Sequence, residues 1–445
     1  MAFTTGTRSE RCIAALCAAL LLASCGGNST NTSTNTAHTV GGTVTGLSGT
    51  VELQTSAGDR LTLKADGAFA FPAAIATNSP YQVSVRTQPL WQNCSVGQGS
   101  GTATADVSNV SVTCAVAAAE VSTFAGTGVA GWDSGSASTA TFSFPFGIVV
   151  RPDGGLLVSD YGSERVRSVS STGDVTTLAG GGPAGASVNG VGPAASFFGL
   201  RGLALDAAGN AYAADFSGHF IRQITPTAVV SFFAGTGASG SHNADRATST
   251  FDGPMGVATG ATGDLYVVDQ TQATVRQITP GGAVSTLAGS GLHAFADDTG
   301  TSASFSAPSG IAVDPAGNVY VGDTYNHRIR KITPTGVVTT LAGSGANNTA
   351  DGIGTQAAFA EPFGLTVDKD GNVYVVERHG HVLRRITPQG VVSTLAGAPG
   401  MAGATDGLGS NARFDSPMGV AIAADGTLFI TDTFNHKIRK VTPVR

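Results

Sequence analysis

Four histidines stand at one repeated offset in this chain. His219, His327, His381 and His436 each follow an acid by four residues, and Glu164 and Ala273 hold the same place in two further copies. Imidazoles converging from several copies can bind zinc through their ring nitrogens. The acids are Asp160, Asp215, Asp269, Asp323, Glu377 and Asp432, and seven residues after each stands Arg167, Arg222, Arg276, Arg330, Arg384 or Arg439. An arginine at that spacing inside an apolar run needs a partner, so these read as structural ion pairs. Glu377, His379 and His381 are the nearest thing to a local ligand cluster and are the weak metal candidates. A second recurrence is Ser134, Asn189, Asn243, Asp297, Asp351 and Asp406, each eight residues before Phe142, Phe197, Phe251, Phe305, Phe359 or Phe414. A ring of such oxygens could hold a cation. Mixed Ser, Asn and Asp suits an Asx turn better than calcium, whose carboxylates cluster locally. The sequence carries no nucleophile elbow, Walker loop, His-Glu-x-x-His or Cys-x-x-Cys. It therefore predicts no catalytic residue and no cofactor, and calcium and zinc are the ions worth testing for.

The repeated positions are scaffold; a site is expected where the symmetry breaks. Trp132 sits in one long connection, His242, Asp245 and Arg246 in another, and His293, Phe295 and Asp298 in a third. With Asp351 and Asp406 these form the candidate binding face, suited to a protein, peptide or glycan ligand.

The elements that position these residues come from an internal repeat. The triplet Phe/Leu-Ala-Gly has its alanine at Ala125, Ala179, Ala234, Ala288, Ala342 and Ala396, spaced by 54 or 55 residues. A fixed period of this length marks a repeat architecture. In the fourth copy, Ser309–Asp314, Val319–Asp323, His327–Ile332 and Val337–Gly343 are short β-rich runs separated by turn residues. Four antiparallel strands repeated about an axis make a β-propeller blade. The chain supplies a last strand first, from Val121, and stops after a third strand, Lys437 to Val441. The N-terminal strand is expected to complete the final blade, closing six blades and removing free sheet edges. The long links between blades emerge on the same face as the turns between second and third strands. Connections longer than needed are often functional, so the site is expected on that face at the central channel.

The text of the repeat resembles the NHL repeat. The likeness lies in Pro308–Asp314, Gly317–Val321 and Asn326–Ile332, and recurs in Asp432–Val441. It implies an all-β, six-bladed propeller over residues 117–445. It implies little about activity, because NHL propellers serve as binding platforms, sensors and occasionally lyases. Asn-His is ordinary NHL text, which favours a structural role for the repeated histidines.

Composition narrows the class. The charge is −6 with only 12% charged residues, which excludes the clustered basic surface of a nucleic-acid binder. Arg8 and Arg11 precede an apolar run, Ile13 to Leu22, of signal-peptide length. It ends in Leu22-Ala23-Ser24-Cys25, which resembles a bacterial lipoprotein cleavage box. Residues 1–24 would be removed, Cys25 lipidated, and 25–37 left as a polar tether. Gly26, in place of an aspartate, favours the outer membrane, so the membrane contact is a lipid anchor alone. Residues 38–116 read as a small Ig-like β-sandwich, with strands at Thr43–Gly49, Leu61–Leu63, Phe69–Phe71 and Tyr81–Val85. Cys94 and Cys114 are expected to form a disulfide in an exported chain. The function predicted is a cell-envelope binding or scaffolding platform. The alternative is a metal-dependent lyase or hydrolase at the channel mouth.

Overall fold

The computed structural model describes residues 36–445. The expected signal peptide, the expected lipidation site Cys25 and the expected tether up to residue 35 lie outside the described residues. No helix among those described is long and apolar enough to cross a membrane.

The repeat folds into six antiparallel meanders in chain order. The fourth is representative: Pro308–Val313, Val319–Asp323, Arg328–Ile332 and Val338–Ala342 pair successively. The second strands are buried throughout, reading Val-Tyr-Val-Gly-Asp in this copy, because neighbouring sheets cover both faces. Alanine, valine and phenylalanine from adjacent copies form shared clusters, such as Ile329, Ala342, Phe359, Leu365 and Val375. In three sheets a two-residue strand (Gly190–Val191, Gly352–Ile353 or Gly407–Leu408) adds outside the fourth strand.

Glycine sets how closely the first strands approach. Gly310 packs against the carbonyl of Phe363, and a Cβ there would lie within 3.0 Å of it. The same relation runs from Gly147 to Arg201, Gly202 to Met255, Gly256 to Ser309 and Gly364 to Met418, and returns from Gly419 to Phe146. The last sheet joins the two ends of the repeat. Ala119–Ala125 pairs with Lys437–Pro443, placing Val121 opposite Val441.

Before the repeat, two four-stranded sheets share one core. Gly67–Ala70, Val40–Thr45, Val107–Val116 and Gln92–Gly97 form one sheet, and Arg60–Leu63, Val51–Thr55, Ser79–Thr87 and Ser100–Ala103 the other. Val44, Leu53, Val83, Val110 and Val112 fill the space between them. One pairing is parallel, between Val107–Val116 and Val40–Thr45. Cys94 and Cys114 are opposite one another on adjacent strands and form a disulfide. The strand expected over Thr43–Gly49 stops at Thr45. Gly46 has φ 73°, and Asp66 accepts the amides of Gly46 and Leu47, turning the chain there.

This unit is bonded to the fifth and sixth sheets at their turns between first and second strands. Trp91 is fully buried in the seam and its Nε1 donates to the Gly426 carbonyl at 2.9 Å. Arg385 donates to the Ser48 carbonyl and to Asn372, and Arg445 to the carbonyls of Gln92 and Leu90.

Candidate functional site

The six acid–arginine pairs form within their own sheets, and both partners are fully buried. The separations are 3.5 Å for Asp160–Arg167, 2.9 Å for Asp215–Arg222, 3.3 Å for Asp269–Arg276, and 2.6 Å for both Asp323–Arg330 and Asp432–Arg439. Glu377–Arg384 closes the set. Each guanidinium also ties a long link down. Arg330 Nη1 donates to the Ser304 carbonyl and Nη2 to the Ala296 carbonyl, while the buried ring of Phe305 lies 5.1 Å from its Cζ. Burial pushes the carboxyls of Asp160 and Asp432 up to about 6 and that of Asp269 to about 7, against the opposing pull of their arginines.

The polar residues placed eight before the phenylalanines serve these arginines. Asn189, Asn243, Asp297, Asp351 and Asp406 accept from Arg222, Arg276, Arg330, Arg384 and Arg439. Thr340, Thr394 and Thr123 on fourth strands donate to Asp297, Asp351 and Asp406. Asp351 and Asp406 thus anchor their links through Arg384 and Arg439, with their own side chains about half exposed. Part of each link runs along a fourth strand, as Thr299 does beside Val337, while His293 of that same link reaches the axis.

The repeated histidines join one sheet to the next. Nδ1 of His381 accepts the amide of Ser416 at 3.0 Å, that of His436 the amide of Phe144 at 3.1 Å, and that of His219 the amide of Gly253 at 3.3 Å. Glu164 plays this part through its carboxylate, accepting from Gly199 and Leu200. Ala273 cannot, and His293 from the following link takes over, accepting the amide of Ala307 at 3.3 Å. His327 Nδ1 is buried without a partner. An accepting Nδ1 puts the proton on Nε2 and requires a neutral ring. Burial accordingly lowers the pKa of His327, His381 and His436.

Glu377, His379 and His381 are not brought together. Glu377 is buried on Arg384, Thr349 and the Ala360 amide; His379 pairs with Glu361 at 3.0 Å; His381 faces Ser416. Among the described residues no group of three or more His, Cys, Asp or Glu side chains could hold a metal ion.

A cavity of about 460 Å³ opens at the axis, on the face of the turns between second and third strands. Its floor is Phe146, Met255, Phe363 and Met418; Phe146 and Phe363 meet edge to face at 5.5 Å. Its walls include Tyr161, Arg201, Gln270, Tyr325, Arg378 and Phe434. No aspartate, glutamate, lysine or cysteine lines it. Its one histidine, His293, is engaged at both nitrogens: Nε2 meets the Thr271 carbonyl at 3.1 Å and Nδ1 the Ala307 amide. Arg378 Nε donates to Glu361 at 2.7 Å. Below the floor, the six first-strand glycines narrow the axis to a space of about 70 Å³.

The larger cleft, about 780 Å³, lies in the seam with the N-terminal unit. Polar groups hold the two parts together, Thr50 on Asp370 and Arg385 on Ser48, while Gln92 braces Gly46 within the N-terminal unit. It is a joint.

Of the symmetry-breaking residues, only His293 lines the mouth. Trp132 carries the Arg165 guanidinium at 5.2 Å and Phe295 that of Arg328 at 3.9 Å, so both rings cover arginine stems. Arg246 stacks on Phe233, Asp298 caps the Thr299 amide, and Asp245 and His242 engage through their backbones. Apart from His293, these link residues lie outside the axial cavity. The turns after the second strands supply most of the walls. The residues missed are the one before each first-strand glycine (Phe146, Arg201, Met255, Ser309, Phe363, Met418) and those after each acid, such as Tyr161, Gln270, Thr324 and Arg378. Both slots vary beside invariant neighbours, which was the available signal.

Residues 305–332 match the family model of the NHL repeat. A bovine NHL repeat-containing protein 2 is 34% identical over 168 residues, covering 34% of this chain and 23% of that protein. The chain spans a quarter or less of the length of the curated relatives it matches. A crystal structure of a Bacteroides thetaiotaomicron protein of unknown function superposes with TM-score 0.60 at 21% identity, covering 88% of this chain and 90% of the other. An auxiliary nutrient binding protein from the same species gives TM-score 0.57 at 16% identity, covering 90% and 97%. These likenesses support an all-β, NHL-type β-propeller.

Proposed function

We propose that the protein is a binding platform whose ligand site is the cavity at the channel mouth. The six sheets are read as six blades of one closed propeller, with residues 38–116 as an Ig-like sandwich that spaces the mouth from a lipid anchor on Cys25 in the cell envelope. The observation that carries the reading is the mouth itself. It is the size of a small-ligand pocket, apolar at its floor, ringed by exposed aromatics, and furnished with two guanidiniums. Its lining among the described residues holds no carboxylate, thiol or lysine, and its one imidazole, the natural activator for a hydroxyl, is engaged by backbone groups. That favours binding over the lyase or hydrolase alternative.

The test is a ligand panel of small carboxylates, oligosaccharides and short peptides, read by thermal shift on the wild type and on Thr271→Trp. Thr271 is exposed at the rim, and an indole there fills the cavity without touching the interior. Ligands that stabilise the wild type and not T271W support the mouth; ligands that stabilise both equally refute it. Anchoring has its own test. Cys25→Ala should abolish palmitate labelling and move the protein from the membrane fraction to the soluble one. Labelling that persists would refute the anchor.

A further inference from the structure

Arg201 differs from the other buried or half-buried arginines around the channel. Each third-strand arginine has an acid within its own sheet, and Arg378 has Glu361. Arg201 pairs with no carboxylate among the described residues, and its buried Nε and Nη1 have no hydrogen-bond partner. Its guanidinium is held by rings instead. Cζ lies 3.7 Å from the centroid of Tyr161, 5.0 Å from Phe146 and 5.4 Å from Phe216. Stacking fixes the orientation of a guanidinium but gives it no hydrogen-bonded counterion; the Glu164 carboxylate acts on it only through space, its oxygens being spent on the Gly199 and Leu200 amides, and an anion is what a planar donor fork recognises. The chain as a whole is acidic, at −6, yet the mouth is lined by two arginines and no acid.

The other wall groups decide the body of the ligand. The Thr324 hydroxyl donates to the Pro362 carbonyl and the Thr433 hydroxyl to that of Pro145. Ser309 Oγ donates to the Ala307 carbonyl, and the Gln270 amide to the Pro308 carbonyl and Ser309. Few polar side chains are left to read sugar hydroxyls. What remains facing the cavity is aromatic and thioether surface: Phe146, Phe363, Met255 and Met418 below, with Tyr325 and Phe434 exposed at the rim.

We propose that the mouth binds a small organic carboxylate carried on a flat apolar ring, with Arg201 holding the carboxylate and the aromatic floor holding the ring. This rests on the mouth being the ligand site. The probes are 2-naphthoate, its neutral counterpart 2-naphthamide, and galacturonate, titrated into the wild type, Arg201→Gln, Lys331→Gln and T271W, with thermal melts confirming that each variant folds. The expected result has four parts. Naphthoate binds the wild type at least about tenfold more tightly than naphthamide. R201Q weakens naphthoate about 10- to 100-fold, the effect of losing a charge-assisted contact, and leaves naphthamide unchanged. K331Q changes naphthoate binding less than about threefold, because Lys331 does not line the cavity. T271W abolishes binding of both. Equal binding of acid and amide, unaltered in R201Q yet lost in T271W, would overturn the anion assignment and leave the mouth standing. Binding that survives in T271W would overturn the mouth itself. Galacturonate binding more tightly than naphthoate would overturn the apolar ring, and binding by no probe would overturn the proposal.

Discussion

Replacing Arg330 by methionine isolates what the buried pairs do. The wild-type guanidinium makes contacts of 2.6 Å to Asp323, 2.6 and 3.1 Å to Asp297, 3.0 Å to the Ser304 carbonyl and 2.7 Å to the Ala296 carbonyl. Methionine fills much of the stem and supplies none of these donors. Asp297 is partly exposed and can turn to water, but Asp323 is fully buried. Asp323 keeps the Ser306 amide at 2.7 Å and the Asn326 amide at 2.9 Å, which soften the loss without neutralising the charge. Breaking a buried pair from one side costs about 3–5 kcal/mol. The cost has a ceiling, because the stranded Asp323 can take up a proton. Its folded pKa then lies above the unfolded value, so the folded state binds more protons and the deficit shrinks as the pH falls toward the unfolded carboxylate pKa. Urea unfolding followed by circular dichroism at pH 8 and pH 5.5 measures both effects. Lys331→Met on the same strand is the control, expected within about 1 kcal/mol of wild type. An R330M protein within about 1 kcal/mol of wild type at pH 8, or a deficit that grows on acidification, would refute the reasoning.

Three further outcomes are expected. Gly310→Ala should cost about 1–3 kcal/mol or more, because its Cβ would meet the Phe363 carbonyl, whereas Gly354→Ala, with open space around its Cβ, bears only the strain of φ 55°; equal melting temperatures for the two would contradict the close packing at the axis. The histidine links should make the protein acid-sensitive. Burial lowers the folded pKa of His381 and His436, so their stabilisation is present above the unfolded value near 6.5 and is lost as pH falls below it. A His381→Gln/His436→Gln variant should lose less stability than wild type between pH 7.5 and 5.5, and parallel profiles would count against the links. Reducing Cys94–Cys114, which closes a 20-residue separation, should cost the N-terminal unit about 3 kcal/mol in denaturant, checked by unfolding with and without reductant.

The β-rich repeat was legible because each copy states the same four runs and the same turn chemistry. Its strand pairing follows from that text, down to Val121 opposite Val441. The acid–arginine pairing was legible for a similar reason: a spacing of seven spans two adjacent antiparallel strands, and a buried arginine has few other partners. The N-terminal unit was less so. Gln92–Gly97 and Val107–Val116 carry too many Ser, Asn, Thr and Gly residues to stand out as strands, and the turn at Gly46 depends on Asp66, twenty residues away. In the sequence, length was taken for proximity to the axis, whereas the cavity there is walled chiefly by the turns after the second strands. The links are long because each must run outward along a fourth strand and be pinned by an arginine there. The mouth is built from single residues beside invariant ones, and nothing local to Arg201 says that three aromatic rings from two sheets will gather around it.

That the mouth, and not the long links, is the working site is tested most directly by one comparison. It is the dissociation constant of the tightest-binding member of the ligand panel for the wild type, Thr271→Trp and the double link variant Trp132→Ala/His242→Ala. The expected result is loss of at least about 30-fold in affinity for T271W, since the filled cavity excludes the ligand, and less than about threefold for the link variant. Affinity kept in T271W and lost in the link variant would contradict it.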